Sequence, residues 1–153
     1  MINILLNGCN GNMGKALSEY IKGSSVFNLK YGIDKNNVDL LGRITQKPDV
    51  IIDFSTTDAT FTALNYAVKE LVPIVIATTG FSIEDENKIL EYSEAIPIFK
   101  SSNMSYGIHL FSDLVSKFSK KLNDVKINMD IEIIEKHHRR KVDAPSRYCP
   151  YDS

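Results

Sequence analysis

At 153 residues, 43% hydrophobic and 24% charged, the chain has the proportions of a folded protein with one sizeable core or the larger part of two, which excludes a disordered tail and a disulfide-stapled miniprotein. Against 18 Lys and Arg stand 19 Asp and Glu, a formal charge of −1, so no global basic field draws the chain onto nucleic acid or an anionic membrane. The two cysteines, Cys9 and Cys149, offer neither a disulfide framework nor a zinc site and fit a reducing compartment; no apolar run reaches the roughly 18–20 residues of a membrane span, and no leader pattern opens the chain, so cytoplasm is the expected location.

Residues 2–7 are an apolar run too short for a helix and bounded by Gly8, which predicts a buried strand. Met13, Ala16, Leu17, Tyr20 and Ile21 then recur at three- and four-residue spacing, predicting a helix over 12–22. Strands are predicted over 27–33 and 50–54, a helix over 57–70, a strand over 73–77, a helix over 83–92 and a strand over 96–99. This alternation with near-continuous apolar strands predicts an α/β fold: a Rossmann-like parallel sheet with helices on both faces. In such a sheet ligands bind at the carboxyl ends of the strands. Ile108, Phe111, Leu114, Val115, Phe118 and Leu122 make an amphipathic helix over 105–122. Beyond it, 126–135 alternates: Ile127, Met129, Ile131 and Ile133 share one face, Asp130 and Glu132 the other. A half-wet strand of this kind suits the start of a separate α+β domain, so a boundary is placed near Asn123, dividing 1–123 from 124–153.

Gly8, Cys9, Asn10, Gly11, Asn12, Met13 and Gly14 follow the first strand and open the first helix with the spacing G-x-x-G-x-x-G. Three glycines there let the backbone turn tightly and approach a pyrophosphate while the helix N-terminus supplies N–H groups to the anion; a tight turn without ligand is the plainer reading, and the strand–turn–helix context favours the ligand. Asp34 stands 20 residues after Gly14 at the end of the second strand, where a carboxylate can accept hydrogen bonds from adenosine ribose hydroxyls or simply form a turn. Lys35 follows and can face a 2′-phosphate, so both NADH and NADPH stay open as cofactor. Residues 1–123 are thus read as a dinucleotide-binding domain. Ala77, Thr78 and Thr79 end one strand and Ser101, Ser102, Asn103 and Met104 the next, at the same sheet edge; they can hold a nicotinamide ribose and ring, or be polar loops with helix-capping residues.

Near the end, His137 and His138 stand among Lys136, Arg139, Arg140 and Lys141. His137 and Lys141 are four residues apart and share a face in strand or helix. Histidine exchanges protons near neutral pH and the cations can hold an anionic substrate, while a solvated basic loop is the alternative. No third ligand lies at finger-like spacing, so no metal is expected. Nor is nucleic acid, since no aromatic stacking platform accompanies the charges.

The glycine turn, Asp53-Phe54-Ser55, Ala77-Thr78-Thr79-Gly80-Phe81, Asn103-Met104-Ser105-Tyr106-Gly107 and Glu135-x-His137-His138-x-x-Lys141-x-Asp143-Ala144-Pro145-Ser146 occur in this order over residues 1–146. Together they resemble the 4-hydroxy-tetrahydrodipicolinate reductase (dihydrodipicolinate reductase) family of lysine and diaminopimelate biosynthesis. The resemblance implies NADH- or NADPH-dependent reduction of a cyclic dicarboxylate by a two-domain chain, with a homotetramer as the usual assembly. It implies that Gly8 to Gly14 hold the pyrophosphate, that Asp34 holds the adenosine ribose with Lys35 beside it, and that Ser55, Ala77 to Thr79 and Ser101 to Met104 lie toward the nicotinamide. His137 becomes the proton donor or acceptor, Lys141 the second acid group and His138 a substrate-carboxylate contact; residues 124–153 become the start of the substrate and assembly domain. A nucleotide-binding module without catalysis is the rival reading.

The chain departs from the family pattern in two places. Lys35 stands where the family often has Arg. After Pro145-Ser146 the family continues Gly-Thr-Ala, whereas here stand Arg147, Tyr148 and Cys149, with Ser153 last. Residues 147–153 can be encoded by AGG TAC TGC CCT TAT GAT AGC, one of several codon choices, and that choice read one base later begins GGT ACT GCC CTT ATG ATA, which is Gly-Thr-Ala-Leu-Met-Ile. A one-base insertion near codon 146 is therefore expected, testable on the nucleotide sequence. Its consequences would be a truncated, aggregation-prone chain with an incomplete carboxylate pocket, weak or absent turnover and retained cofactor binding.

Overall fold

Ile2-Asn3-Ile4-Leu5-Leu6-Asn7 forms β1 (Ile2–Asn7), and its last four residues are buried on both faces, as the centre of a parallel sheet requires. The computed structural model describes residues 1–127 together with Asp130, Glu132 and Ile134. After β1 come α1 (Asn12–Lys22), β2 (Phe27–Ile33), a 3₁₀ segment at Val38–Arg43, β3 (Val50–Asp53), α2 (Thr57–Glu70), β4 (Ile74–Ile76), α3 (Ile83–Ser93), β5 (Ile98–Lys100) and α4 (Tyr106–Asp124). The chain divides into two compact units, Met1–Ser102 and Asn103–Ser153, so α4 falls in the second, whereas the sequence reading set the boundary beyond that helix.

All five strands are parallel, in the order β2-β1-β3-β4-β5. The chain moves from β1 outward to β2, then crosses back to β3 and continues the other way. Right-handed crossovers therefore place α1 on one face and α2 and α3 on the other. The order reverses between β1 and β3, the switch point at whose carboxyl ends ligands bind in sheets of this kind. The pairing register lines up Ile33, Asn7, Asp53, Ile76 and Lys100 as one row across the sheet. The next residue on each strand is Asp34, Gly8, Phe54, Ala77 or Ser101, so one rim gathers the segments singled out in the first unit.

On the α2 face, Leu5, Ile51, Ile74 and Ile76 meet Ala63, Leu64 and Ala67 of α2, with Phe81, Ile89 and Ile96 completing the core. Phe61 of α2 meets the ring of Phe81 edge-on at 6.2 Å and Tyr92 of α3 at 6.4 Å. The Tyr92 hydroxyl donates to Asn65 Oδ1 at 2.6 Å, tying α3 to α2.

Several boundaries differ from those predicted, for local reasons. The strand predicted over 96–99 begins only at Ile98, because the N–H of Ile96 still donates to Tyr92 O at the end of α3 and Pro97 follows with no N–H to give. The 3₁₀ segment Val38–Arg43 carries no helical apolar period and was not predicted. At the end of α4, Lys126 takes a left-handed φ of 58°, the N–H of Lys126 donates to Asn123 O and that of Ile127 to Leu122 O, a Schellman cap. Half of the strand predicted over 126–135 lies outside the described residues, and its described residues, Lys126, Ile127, Asp130, Glu132 and Ile134, are in no strand, the N–H groups of the first two being taken by the end of α4. His137, His138, Lys141 and the final segment lie outside the described residues. Among the described residues no helix is long and apolar enough to cross a membrane.

Candidate functional site

The turn after β1 is built around two glycines that tolerate no side chain. Gly8 has φ +81°, and a Cβ there would lie 2.3 Å from the carbonyl oxygen of Phe54. A Cβ on Gly14, in the first turn of α1, would lie 2.2 Å from the carbonyl oxygen of Gly8. The N–H groups of Gly8 and Cys9 both donate to Ile33 O, and that of Gly11 donates to Gly8 O. Gly11 is the N-cap of α1 and provides no capping side chain. The first N–H groups of α1 thus face outward, as at helix starts that bind anions.

Asp34, half-buried beside this turn, accepts from the side-chain amide of Asn10 and from the N–H of Asn36 at 2.7 Å, and its own N–H donates to Asn37 Oδ1 at 2.7 Å. The turn and the ribose-binding roles left open by the sequence are therefore compatible: one carboxylate oxygen shapes the Asp34–Asn37 turn while the other faces the glycine turn. Lys35 is exposed next to it. Cys9 packs against the backbone of Gly32, with Sγ 3.2 Å from where a Cβ would stand. Burial, and then the negative charge of Asp34, push its thiol above the ordinary value, so it remains a neutral packing group at physiological pH.

The least expected feature lies under the rim. Asp53, fully buried at 0% exposure, ends β3. Its Oδ1 accepts from Asn7 Nδ2 at 2.8 Å and from the Ser55 hydroxyl at 2.5 Å; its Oδ2 accepts from Thr60 Oγ1 at 2.6 Å and from Thr78 Oγ1 at 2.8 Å. Thr78 Oγ1 also accepts from the N–H of Ser55 at 3.0 Å, and Asn7 Nδ2 reaches the carbonyl of Ala59 at 3.2 Å. The side chains of Ser55 and Thr78, expected toward the nicotinamide, are thus turned into this lattice. Sequence reasoning passed over Asn7, Asp53 and Thr60 as site residues. The available signal was a polar residue ending a run of apolar ones, twice, Asn7 after Ile4-Leu5-Leu6 and Asp53 after Val50-Ile51-Ile52.

Ala77, half-buried, donates its N–H to Asp53 O, and Thr79 and Gly80 are exposed, Gly80 with φ +89°. The N–H of Ser101 donates to Ile76 O, and Ser102 is exposed. In the second unit Asn103 Oδ1 accepts from the N–H of Ser105 at 2.6 Å, and the Ser105 hydroxyl caps α4 by accepting from the N–H of Ile108. His109 Nε2 lies 3.1 Å from Asn103 O, and Met104 is exposed. Asn103 thus makes an Asx turn just before α4, and the N-cap itself is Ser105, one residue beyond the segment singled out in the sequence.

Comparison with known proteins agrees with this architecture. Residues 2–104 match the family described as "Dihydrodipicolinate reductase, N-terminus" and residues 107–148 the one described as "Dihydrodipicolinate reductase, C-terminus". The chain is 42% identical over 153 residues to a 4-hydroxy-tetrahydrodipicolinate reductase of Caldanaerobacter subterraneus, and 42% identical over 154 residues to one of Clostridium novyi. Each alignment covers 95% of this chain but 59% and 60% of the relatives, so the chain spans about three-fifths of their length. Among solved structures, a dipicolinate-bound dihydrodipicolinate reductase from Paenisporosarcina sp. TG-14 superposes with a TM-score of 0.65 at 26% identity, covering 95% of this chain and 62% of that one. With both halves of the family pattern present in order and the same Rossmann-like parallel sheet beneath them, the chain belongs to the dihydrodipicolinate reductase family.

Proposed function

We propose that the chain binds a reduced nicotinamide dinucleotide at the carboxyl rim of its sheet and carries the cofactor half of a 4-hydroxy-tetrahydrodipicolinate reductase. The observation that carries this reading is the cradle at Gly8 and Gly14: backbone packs where both Cβ atoms would be, and the uncapped start of α1 opens directly above it. The donor set fits the group, with N–H groups for the pyrophosphate and the Asp34 carboxylate for a ribose diol. An intact Asp34 carboxylate repels a 2′-phosphate, so NADH is the proposed preference, with Lys35 tempering it.

When bound, the nicotinamide supplies a hydride. Overall one hydride and one proton enter the substrate ring and one water leaves. By the family pattern the proton passes through His137, with Lys141 as second acid and His138 on a substrate carboxylate; all three lie outside the described residues. In the first unit Ala77, Thr79, Ser101 and Ser102 serve the nicotinamide end, Ala77 and Ser101 from positions immediately beyond the last paired residues of β4 and β5; the family pattern adds Asn103 and Met104, which open the second unit. The proposed substrate is a small cyclic dicarboxylate and the proposed assembly a homotetramer.

Isothermal titration calorimetry with NADH and NADPH tests this. Binding of NADH more tightly than NADPH is expected, with the preference narrowing or inverting in Asp34→Ala. Absence of binding heat with either coenzyme would overturn the proposal. In a form with measurable turnover, His137→Ala is expected to lower kcat by about 10²–10⁴-fold, the usual worth of a positioned acid or base.

A further inference from the structure

Resting on the cofactor reading above, we propose that Asp53 is a positioning residue whose buried carboxylate locks together the three loops that carry the cofactor. Its four donors come from four different segments: Asn7 at the end of β1, Ser55 after β3, Thr60 in α2 and Thr78 after β4. Two of them adjoin the cradle and a third lies in the loop assigned to the nicotinamide. Asn7 immediately precedes Gly8. Ser55 follows Phe54, whose carbonyl occupies the space above Gly8. Thr78 lies within the segment assigned to the nicotinamide end, and its hydroxyl is engaged on both sides, donating to Asp53 and accepting from the Ser55 N–H.

The alternative to a carboxylate at this position is simple. Asp53 follows Val50, Ile51 and Ile52 in β3 and pairs with Ile76, so an aliphatic side chain there would continue the core. Replacing buried polar groups by well-packed apolar ones is often neutral or stabilising, whereas the hydrogen bonds of a buried carboxylate are directional and fix where its partners stand. The arrangement therefore serves placement. With Oδ1 holding Asn7 and Ser55, and Oδ2 holding Thr60 and Thr78, the ends of β1, β3 and β4 cannot shift independently, and α2 anchors the whole to the core. The side chains of Ser55 and Thr78 act from beneath, leaving backbone groups of the two loops to meet the cofactor.

The test uses the whole 153-residue chain. NADH affinity by calorimetry, thermal stability and amide hydrogen exchange are compared for the parent, Asp53→Asn, Thr60→Val, Thr60→Ser and the core control Leu64→Ala. Thr60→Val keeps volume and removes one donor while leaving the Asp53 carboxylate in place. Asp53→Asn is expected to weaken NADH roughly tenfold or more, the scale of a small misplacement of binding groups. Thr60→Val should weaken it less, Thr60→Ser should restore it, and exchange at Gly8, Cys9 and Ser55 should quicken in step. Leu64→Ala should lower the melting temperature while leaving NADH affinity and those amides unchanged. Unaltered NADH affinity in both Asp53→Asn and Thr60→Val would overturn the proposal, as would a loss in Leu64→Ala matching its lost stability. Should the parent bind no NADH, the cofactor reading fails separately. Exchange then decides: faster amides at Gly8, Cys9 and Ser55 in Asp53→Asn uphold the lock, and unchanged ones overturn it.

Discussion

Gly8 and Gly42 differ in surroundings and in backbone conformation, and those differences set opposite expectations for the same substitution. At Gly8 an added methyl would meet the Phe54 carbonyl at 2.3 Å on a backbone of φ +81°; at Gly42 nothing lies within 4 Å. Gly8→Ala is expected to destabilise by about 3 kcal/mol or more, since both strain and overlap oppose it. Gly42→Ala is expected to be neutral or to stabilise by about 0.4–1 kcal/mol through the unfolded chain. Urea titration of the two variants checks the pair. The acid limb of stability is also set by single residues. Asp85 accepts from the Ser82 N–H, the main cause, and then through Ser82 as partner side chain, which together hold its carboxyl below the usual range. A group whose folded value is depressed contributes stability that is complete above its unfolded value, about 3.9, and is lost as pH falls through the folded value. The stability gap between the parent and Asp85→Asn should therefore stay constant from neutral pH to about pH 5 and shrink below about pH 4. A gap that widens on acidification would contradict this.

At the scale of elements, helix ends carry the clearest local signals. Ser82 and Asp85 form a reciprocal capping box at the start of α3. Ser82→Ala is expected to cost about 1 kcal/mol in denaturant melts. The end of α2 has the opposite character. Leu71 takes a left-handed φ of 52° although it is not glycine, while its N–H bonds Val68 O and the next N–H, of Val72, bonds Ala67 O. The cap geometry favours glycine at this position, and the Leu71 side chain is 68% exposed, so little packing is lost with it. Leu71→Gly is expected to stabilise by about 0.5–1 kcal/mol, read from the urea midpoint at unchanged slope.

For the molecule as a whole, the parallel sheet grades stability from its centre outward. Leu5, Leu6, Ile51, Ile74 and Ile76 are buried at the middle strands, whereas Phe99 on the edge strand β5 is 60% exposed. Native-state hydrogen exchange should accordingly be slowest in β1, β3 and β4 and faster in β5 and the 3₁₀ segment Val38–Arg43. Uniform protection across all five strands would run against this grading. The amino-acid sequence by itself determined the order and kind of the elements. A period of 3.6 in α1 and α4, apolar runs in β1 and β3 and glycines at 8, 11 and 14 are local properties, and they announce strand, turn and helix wherever the chain goes. The same locality explains the glycine cradle and Asp34, which lie along one β–α–β stretch, and the family resemblance, which rests on short motifs. Tertiary structure alone decided that Asn7, Asp53, Ser55, Thr60 and Thr78 share one lattice. Asn7 and Asp53 are 46 residues apart and Asp53 and Thr78 are 25 apart. They meet because β1 and β4 flank β3, and strand order is set by how distant apolar faces pack, a property that no window along the chain contains.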